Sequence, residues 1–473
     1  MTAPTEHHNR QGVRLPKIQQ SPPRLLSRDT LPLVIGVLAL VTLGALENRA
    51  VSTVLPTMLR ELDAVTSFGL VMAAPLATYL VSLAVSGWWC DRQGPVPTLR
   101  VGAALFLAAQ VLVGTAVVLP VVVVGRLLSG LAEGMLDVSL MVLVARALDE
   151  RLRPKVMALF AAAWVLPSVL GPVAAGVVTE TVGWRWVFLG SVAFLVPTWL
   201  LLGPAMRGAT GPLATAEPLA PQQLRSILPW AITGAAGLVL LNTAAEKNGV
   251  GTLGSLTLLV AGAVGTVASA RRLLPAGTFR AACGIGSIVA LRGALSAAFM
   301  GVGGFLPLIL TTVHHQSPTT AGISLSVTGV MWTVGSTVQS RLSAHPGLLL
   351  HVGFGALSVG LAATSVLVFT DLPVPVGLAG WAVAGLGIGM TSSTLSVLTM
   401  AVSDDSNQGR NNAGAQMAAS MASAVFFAAA GAVLAVAGAP TRGAFEIIAA
   451  GAVGIAVLGL VGVRRALCAI PAS

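Results

Sequence analysis

Six charged residues lie inside stretches that otherwise read as membrane-spanning helix: Glu47, Arg49, Arg126, Glu133, Asp137 and Arg292. Only 9% of the chain is charged, so these positions stand out. An ionisable group at bilayer depth costs at least ~2.5–3.5 kcal/mol and persists where it meets a partner, a cavity or a pathway. Arg126 and Glu133 are seven residues apart, and Glu133 and Asp137 four apart. At about 100° and about 1.5 Å per residue the three share a helical stripe about 40° wide and roughly 16 Å long. Two carboxylates one turn apart in a low-dielectric space resist ionising together, a property suited to carrying protons. The competing reading is an ion-pair network that only locks helices together. Helix depth predicts a Glu47–Arg126 pair, with Glu133 and Asp137 lining a central cavity. Glu47 and Arg49 are two residues apart and point in different directions, so Arg49 needs a partner of its own. Arg292 belongs to the other half of the chain. It reads equally as a counter-ion to the carboxylates or as an attraction point for an anionic cargo.

The elements that hold these residues follow from composition. The 473-residue chain is 55% hydrophobic, with 53 Gly and 27 Pro, and its mean hydropathy is +0.86. A soluble protein so apolar lacks polar surface, so an integral, all-α membrane protein is expected. Apolar windows of about 20 residues recur along the chain as six, then two shorter Gly-rich ones, then six. Fourteen spans result; twelve is the rival count if the Gly-rich pair does not cross. The expected organisation is an N-terminal tail at 1–30, a six-helix bundle at 31–206, a linker with two extra helices at 207–282, a second six-helix bundle at 283–466 and a tail at 467–473. Lys and Arg concentrate in alternate loops, which places both termini in the cytoplasm. The first apolar run is followed by Leu46-Glu47-Asn48-Arg49 rather than by a small-residue cleavage site, so it reads as an uncleaved span.

The net charge of +10 does not point to nucleic acid, because the basic residues flank apolar segments rather than forming a patch with aromatics. Cys90, Cys283 and Cys468 are scattered without a CxxC pair, which suggests neither a disulfide framework nor a metal site. HxxxD, HExxH and Gly-x-Ser-x-Gly patterns are absent, and the loops are too short for a catalytic domain. No enzyme, cofactor or metal is therefore expected. An excess of Arg over Lys fits a GC-rich bacterial genome.

Several motifs carry a family resemblance. Gly87-Trp88-Trp89-Cys90-Asp91-Arg92-Gln93-Gly94 resembles the loop 2–3 signature of the major facilitator superfamily, with Pro95 and Val96 where the basic pair should stand. Arg126-Leu127-Leu128-Ser129-Gly130 is similar to its RxxqG motif. Gly171-Pro172-Val173-Ala174-Ala175-Gly176 is a partial match to its antiporter motif, with Pro167 replacing the leading Gly. Gly183-Trp184-Arg185-Trp186 resembles an outer-face anchor of drug exporters. Leu46 to Pro56 is similar to the first-span signature of the fourteen-span drug:proton antiporters, with Glu47 for Asp and Arg49 for Thr.

The resemblance implies two six-helix bundles with two inserted helices. It implies a monomeric multi-pass protein of the cell membrane that exports amphiphilic or drug-like molecules in exchange for protons. It assigns proton coupling to Glu47, Arg126, Glu133 and Asp137, and gating to Gly87, Asp91, Arg92, Gly94, Gly171, Pro172 and Gly176. Cargo contact falls to Arg49, Glu133, Asp137 and Arg292. An endogenous lipid, metabolite or envelope precursor is the alternative cargo.

Overall fold

Long apolar runs in lipid must satisfy every backbone N–H and C=O internally, which leaves the helix as their natural form. A computed structural model describes residues 31–147, 153–208, 221–245, 251–342, 345–368, 373–404 and 407–468. The expected N-terminal tail at 1–30, residues 469–473 of the expected tail at 467–473, and linker residues 209–220 lie outside them. The described residues form fourteen α-helices, three short 3₁₀ turns and no strand. The first six are α1 (Leu31–Glu61), α2 (Phe68–Gln93), α3 (Pro95–Gly114), α4 (Leu119–Ala147), α5 (Arg153–Thr181) and α6 (Arg185–Gly208). The inserted pair is α7 (Pro221–Ala244) and α8 (Thr252–Leu273). The last six are α9 (Ile285–Thr312), α10 (Pro318–Arg341), α11 (Pro346–Thr364), α12 (Val374–Ala401), α13 (Gln408–Ala437) and α14 (Arg442–Leu467).

All fourteen helices are long and apolar enough to cross a bilayer, the Gly-rich pair included. The rival count of twelve is therefore set aside. In the first bundle α1 packs on α5 and α6, α2 on α4, and α3 on α4 and α6. In the second, α9 packs on α13 and α14, α10 on α12, and α11 on α12 and α14. The α7–α8 hairpin lies against α2 and α13 and so touches both bundles.

An even number of crossings puts the start of α1 and the end of α14 on one face, here the terminal face. The bundles meet most tightly towards the opposite, far face. There α5 crosses α10 so closely that a Cβ on Gly176 would sit 2.6 Å from the Pro318 carbonyl oxygen, and one on Gly322 2.1 Å from that of Pro172. Only glycine admits that approach. The Thr319 amide, in the first turn of α10, donates to the Glu180 carboxylate of α5 at 2.8 Å, a favourable site for negative charge. Phe68 of α2 packs on Phe305 of α9 at 4.9 Å, and Phe305 lies 6.0 Å from Phe427 of α13. Towards the terminal face a groove of about 370 Å³ separates α5 from α10, bordered by Val165, Val169, Val334 and Arg341.

The cysteines depart from the sequence reading. Cys283 and Cys468, 185 residues apart, form a disulfide. Spacing could not reveal it, because only the docking of α14 beside the start of α9 brings the two together. Ser287 donates to the Arg465 carbonyl at 3.0 Å across the same junction.

The far-face closure is directly testable. Gly322→Leu wedges α10 away from the Pro172 carbonyl, at a cost of about 1–3 kcal/mol. The variant is expected to reach the membrane while a bis-maleimide cross-link between cysteines placed at positions 180 and 319, which adjoin across the same crossing, falls in yield.

Candidate functional site

Helix α4 presents the acidic stripe, and two hydroxyls of α2 fix its rotation. Thr78 donates to the Leu127 carbonyl at 2.7 Å and Ser82 to the Leu131 carbonyl at 2.5 Å. One turn of the stripe is occupied by an ion pair in which Arg126 Nη1 donates to Glu47 Oε1. Both side chains are buried, at 5% and 9% exposure, so each charge depends on the other. Below them Glu133 accepts from Asn48 Nδ2 at 3.1 Å, and Asp137 accepts from the Tyr79 hydroxyl at 3.1 Å. Glu47, Ser129, Glu133 and Asp137 line one small pocket with Phe106 and Trp164. The pocket lies within the first bundle.

The remaining two cations lie elsewhere. Arg49 projects to the seam between the bundles, where its guanidinium stands 5.4 Å from the centre of the Trp332 ring on α10. Arg292 donates to the Ser392 carbonyl and hydroxyl, each at 3.0 Å, to Ser396 Oγ at 3.4 Å and to Gln416 Oε1 at 3.2 Å. Among the described residues no carboxylate pairs with Arg292, so it is not a counter-ion in this conformation. The four residues expected to contact cargo thus divide: Glu133 and Asp137 share a pocket, whereas Arg49 and Arg292 stand apart from it.

Sequence reasoning missed the connection between these groups. Gln416, which accepts from Arg292, lies close enough to Tyr79 to act on it electrostatically. The pair Asp137–Tyr79 of the first bundle and the pair Gln416–Arg292 of the second therefore face each other where α2 packs on α13. Tyr79 is the one tyrosine in the sequence, and that rarity inside an apolar span was the available signal. Asn48 carried a weaker one, as an amide between two buried charges.

The gating residues resolve unevenly. Gly94 ends α2 at φ 85°, a conformation that suits glycine, and so makes the turn into α3. Asp91 feels the charge of Arg146 on α4 of its own bundle. Arg92 lies over Trp88 at 5.7 Å. Gly176 and Pro172 belong to the α5–α10 crossing described above. Gly171 faces α1 at ordinary contact distance and Gly87 faces open space, so packing explains neither glycine. On the far face Glu61 accepts from Trp184 Nε1 at 2.6 Å and from Arg185 Nη1 at 2.5 Å, which ties the end of α1 to the start of α6.

Comparison with known proteins sets this geometry in context. The family model described as Major Facilitator Superfamily matches residues 37–425. Two Mycobacterium tuberculosis proteins, from strains CDC 1551 and H37Rv and each named a probable multidrug-efflux transporter, are 28% identical over 376 residues. That match covers 76% of this chain and 78% of theirs. Multidrug resistance protein 3 of Bacillus subtilis is 25% identical over 155 residues, 33% of this chain and 30% of its own. A crystal structure of a mutant peptide transporter (POT) with sulfate superposes with a TM-score of 0.67 over 92% of this chain and 94% of that one, at 14% identity. That likeness speaks to the fold alone.

Removing one member of a buried ion pair strands the other charge and costs about 3–5 kcal/mol. Glu47→Gln is therefore expected to lower the melting temperature in detergent clearly, and Glu47→Gln with Arg126→Gln to recover part of the loss. Thermal unfolding of the purified variants measures both.

Proposed function

Since the chain belongs to the Major Facilitator Superfamily, we propose that it is a proton-coupled exporter of amphiphilic, drug-like small molecules that works by alternating access. The observation that carries the reading is the buried stripe of Arg126, Glu133 and Asp137, paired to Glu47 and bonded through Asp137 to Tyr79, which faces Gln416 and Arg292 of the second bundle. The names of the Mycobacterium and Bacillus relatives support drug efflux. A lipid-embedded, multi-pass chain of this family acts on cargo and bilayer; its site is the bacterial inner membrane, and it works as a monomer without a cofactor or catalytic step.

In the mechanism, two carboxylates one turn apart in a dry pocket repel each other when both are charged, so the pair trades a proton with the pathway. Tyr79 donates to Asp137. A change in the charge of Asp137 reorders that hydrogen bond and, through Gln416, the contacts of Arg292 in the other bundle. Protonation state and bundle position are thereby coupled. The far face is sealed by α5 against α10 and by Phe68, Phe305 and Phe427. Rocking the bundles opens that seal and closes the terminal side, with cargo bound near the midplane between them.

A second reading keeps the fold and assigns an endogenous lipid, metabolite or envelope precursor as cargo. The buried cations Arg49 and Arg292 favour it, because guanidinium groups suit anionic head groups.

The test is transport in proteoliposomes with an imposed pH gradient. Asp137→Asn is expected to lower gradient-driven movement of an amphiphilic dye at least about tenfold, the scale of losing one well-placed proton carrier. Unchanged transport in Asp137→Asn, Glu133→Gln and Glu47→Gln alike would exclude coupling through this stripe.

A further inference from the structure

One run of side chains bridges the seam between the bundles and has no role in the proton path. Arg49 of α1 stands over Trp332, Trp332 meets Phe299 edge to face at 5.7 Å, and Phe299 stacks on Trp381 at 4.8 Å and 9°. Arg49, Phe299 and Trp381 line one cavity with Asn48, Ser52 and Thr328. The cavity draws on both bundles and so belongs to neither.

Its unmet hydrogen bonding is one-sided. Arg49 Nε and Trp381 Nε1 are both buried and both lack a hydrogen-bond partner among the described residues. Each can only donate. Burial is the one influence resolved on the Arg49 guanidinium, with no carboxylate acting on it. Arg292 shows the same isolation and satisfies itself with neutral oxygens. Buried donors and charges left without partners are costly, so a transported molecule that supplies them gains affinity from the mismatch.

We propose that this seam binds an anionic amphiphile: a carboxylate, sulfonate or phosphate head on Arg49 with an apolar or aromatic body along Trp332, Phe299 and Trp381. The assignment rests on the export reading and narrows its cargo. A lipophilic cation would meet Arg49 at close range and leave both donors unpaired. The cavity measures about 60 Å³ in this conformation, so cargo enters when the bundles rock apart. Met72 and Met300 in the wall adapt readily to differing bodies.

The experiment titrates the full chain in neutral maltoside detergent by calorimetry. The probes are a naphthalene sulfonate, a naphthyl trimethylammonium of equal size, and lysophosphatidylglycerol. The sulfonate is expected to bind more tightly than the ammonium. Arg49→Gln should weaken sulfonate binding at least about tenfold, the scale of a lost charge-assisted hydrogen bond, while leaving the ammonium no weaker. Arg49→Lys, which keeps the charge and loses the planar fork, should fall between. Melting curves of both variants check that they fold. Lysophosphatidylglycerol competing at lower concentration than the sulfonate marks a lipid as the natural anion; the reverse order marks a free organic acid. Tighter binding of the ammonium, or equal sulfonate affinity in wild type and Arg49→Gln, overturns the proposal. Gradient-driven export of a cationic dye without sulfonate binding defeats the anionic assignment and leaves the export reading standing. Sulfonate binding that depends on Arg49, with no export of any amphiphile, does the opposite.

Discussion

A charge removed from water must find its opposite or a polar substitute nearby, and the interior of the first bundle is arranged around that requirement. Glu47 and Arg126 meet it by pairing across α1 and α4. Each side chain alone would be an uncompensated ion in a low-dielectric space, so the pair fixes the relative depth of the two helices. The same registration sets Asn48 against Glu133. Thr78 and Ser82 complete the arrangement by holding α2 to α4, which carries Tyr79 to Asp137. Moving α4 by one turn would break every one of these contacts at once.

The contacts between the bundles are of another kind. Close backbone approach at Gly176 and Gly322, a carboxylate at a helix start and three phenylalanines in tilted contact join them near the far face. These contacts are local and contain no buried salt bridge. Parting this seal would strand no buried charge, which suits the rocking cycle proposed above. Tyr79, bonded to Asp137, faces Gln416, which accepts from Arg292, so the polar groups nearest the α4 stripe in the second bundle are these two.

Much of this was legible in the sequence for a physical reason. Bilayer thickness fixes span length, so hydropathy located all fourteen helices. Helical periodicity put Arg126, Glu133 and Asp137 on one face, and opposite helix directions put Glu47 level with Arg126. What depends on lateral packing was not legible. Nothing in spacing says that Arg49 crosses the seam to Trp332, that Arg292 rests on serine and glutamine oxygens, or that Cys283 meets Cys468. The motif assigned Asp91 to gating without naming its partner; in the fold the charge that acts on it is Arg146 of the same bundle. Residues such as Tyr79 and Gln416 escape sequence patterns because a single polar side chain in an apolar span looks the same whether it bridges two bundles or caps its own helix.

The central claim is that the protonation state of the stripe on α4 is coupled to cargo movement, and the most direct measurement is proton release on cargo binding. Purified protein in weakly buffered detergent is mixed with a transported amphiphile while a pH-sensitive dye reports free protons. The account predicts release of about one proton per bound molecule in the wild type, falling towards zero when Glu133→Gln and Asp137→Asn are combined. Cargo binding without proton release, or release that persists in the double variant, would contradict it.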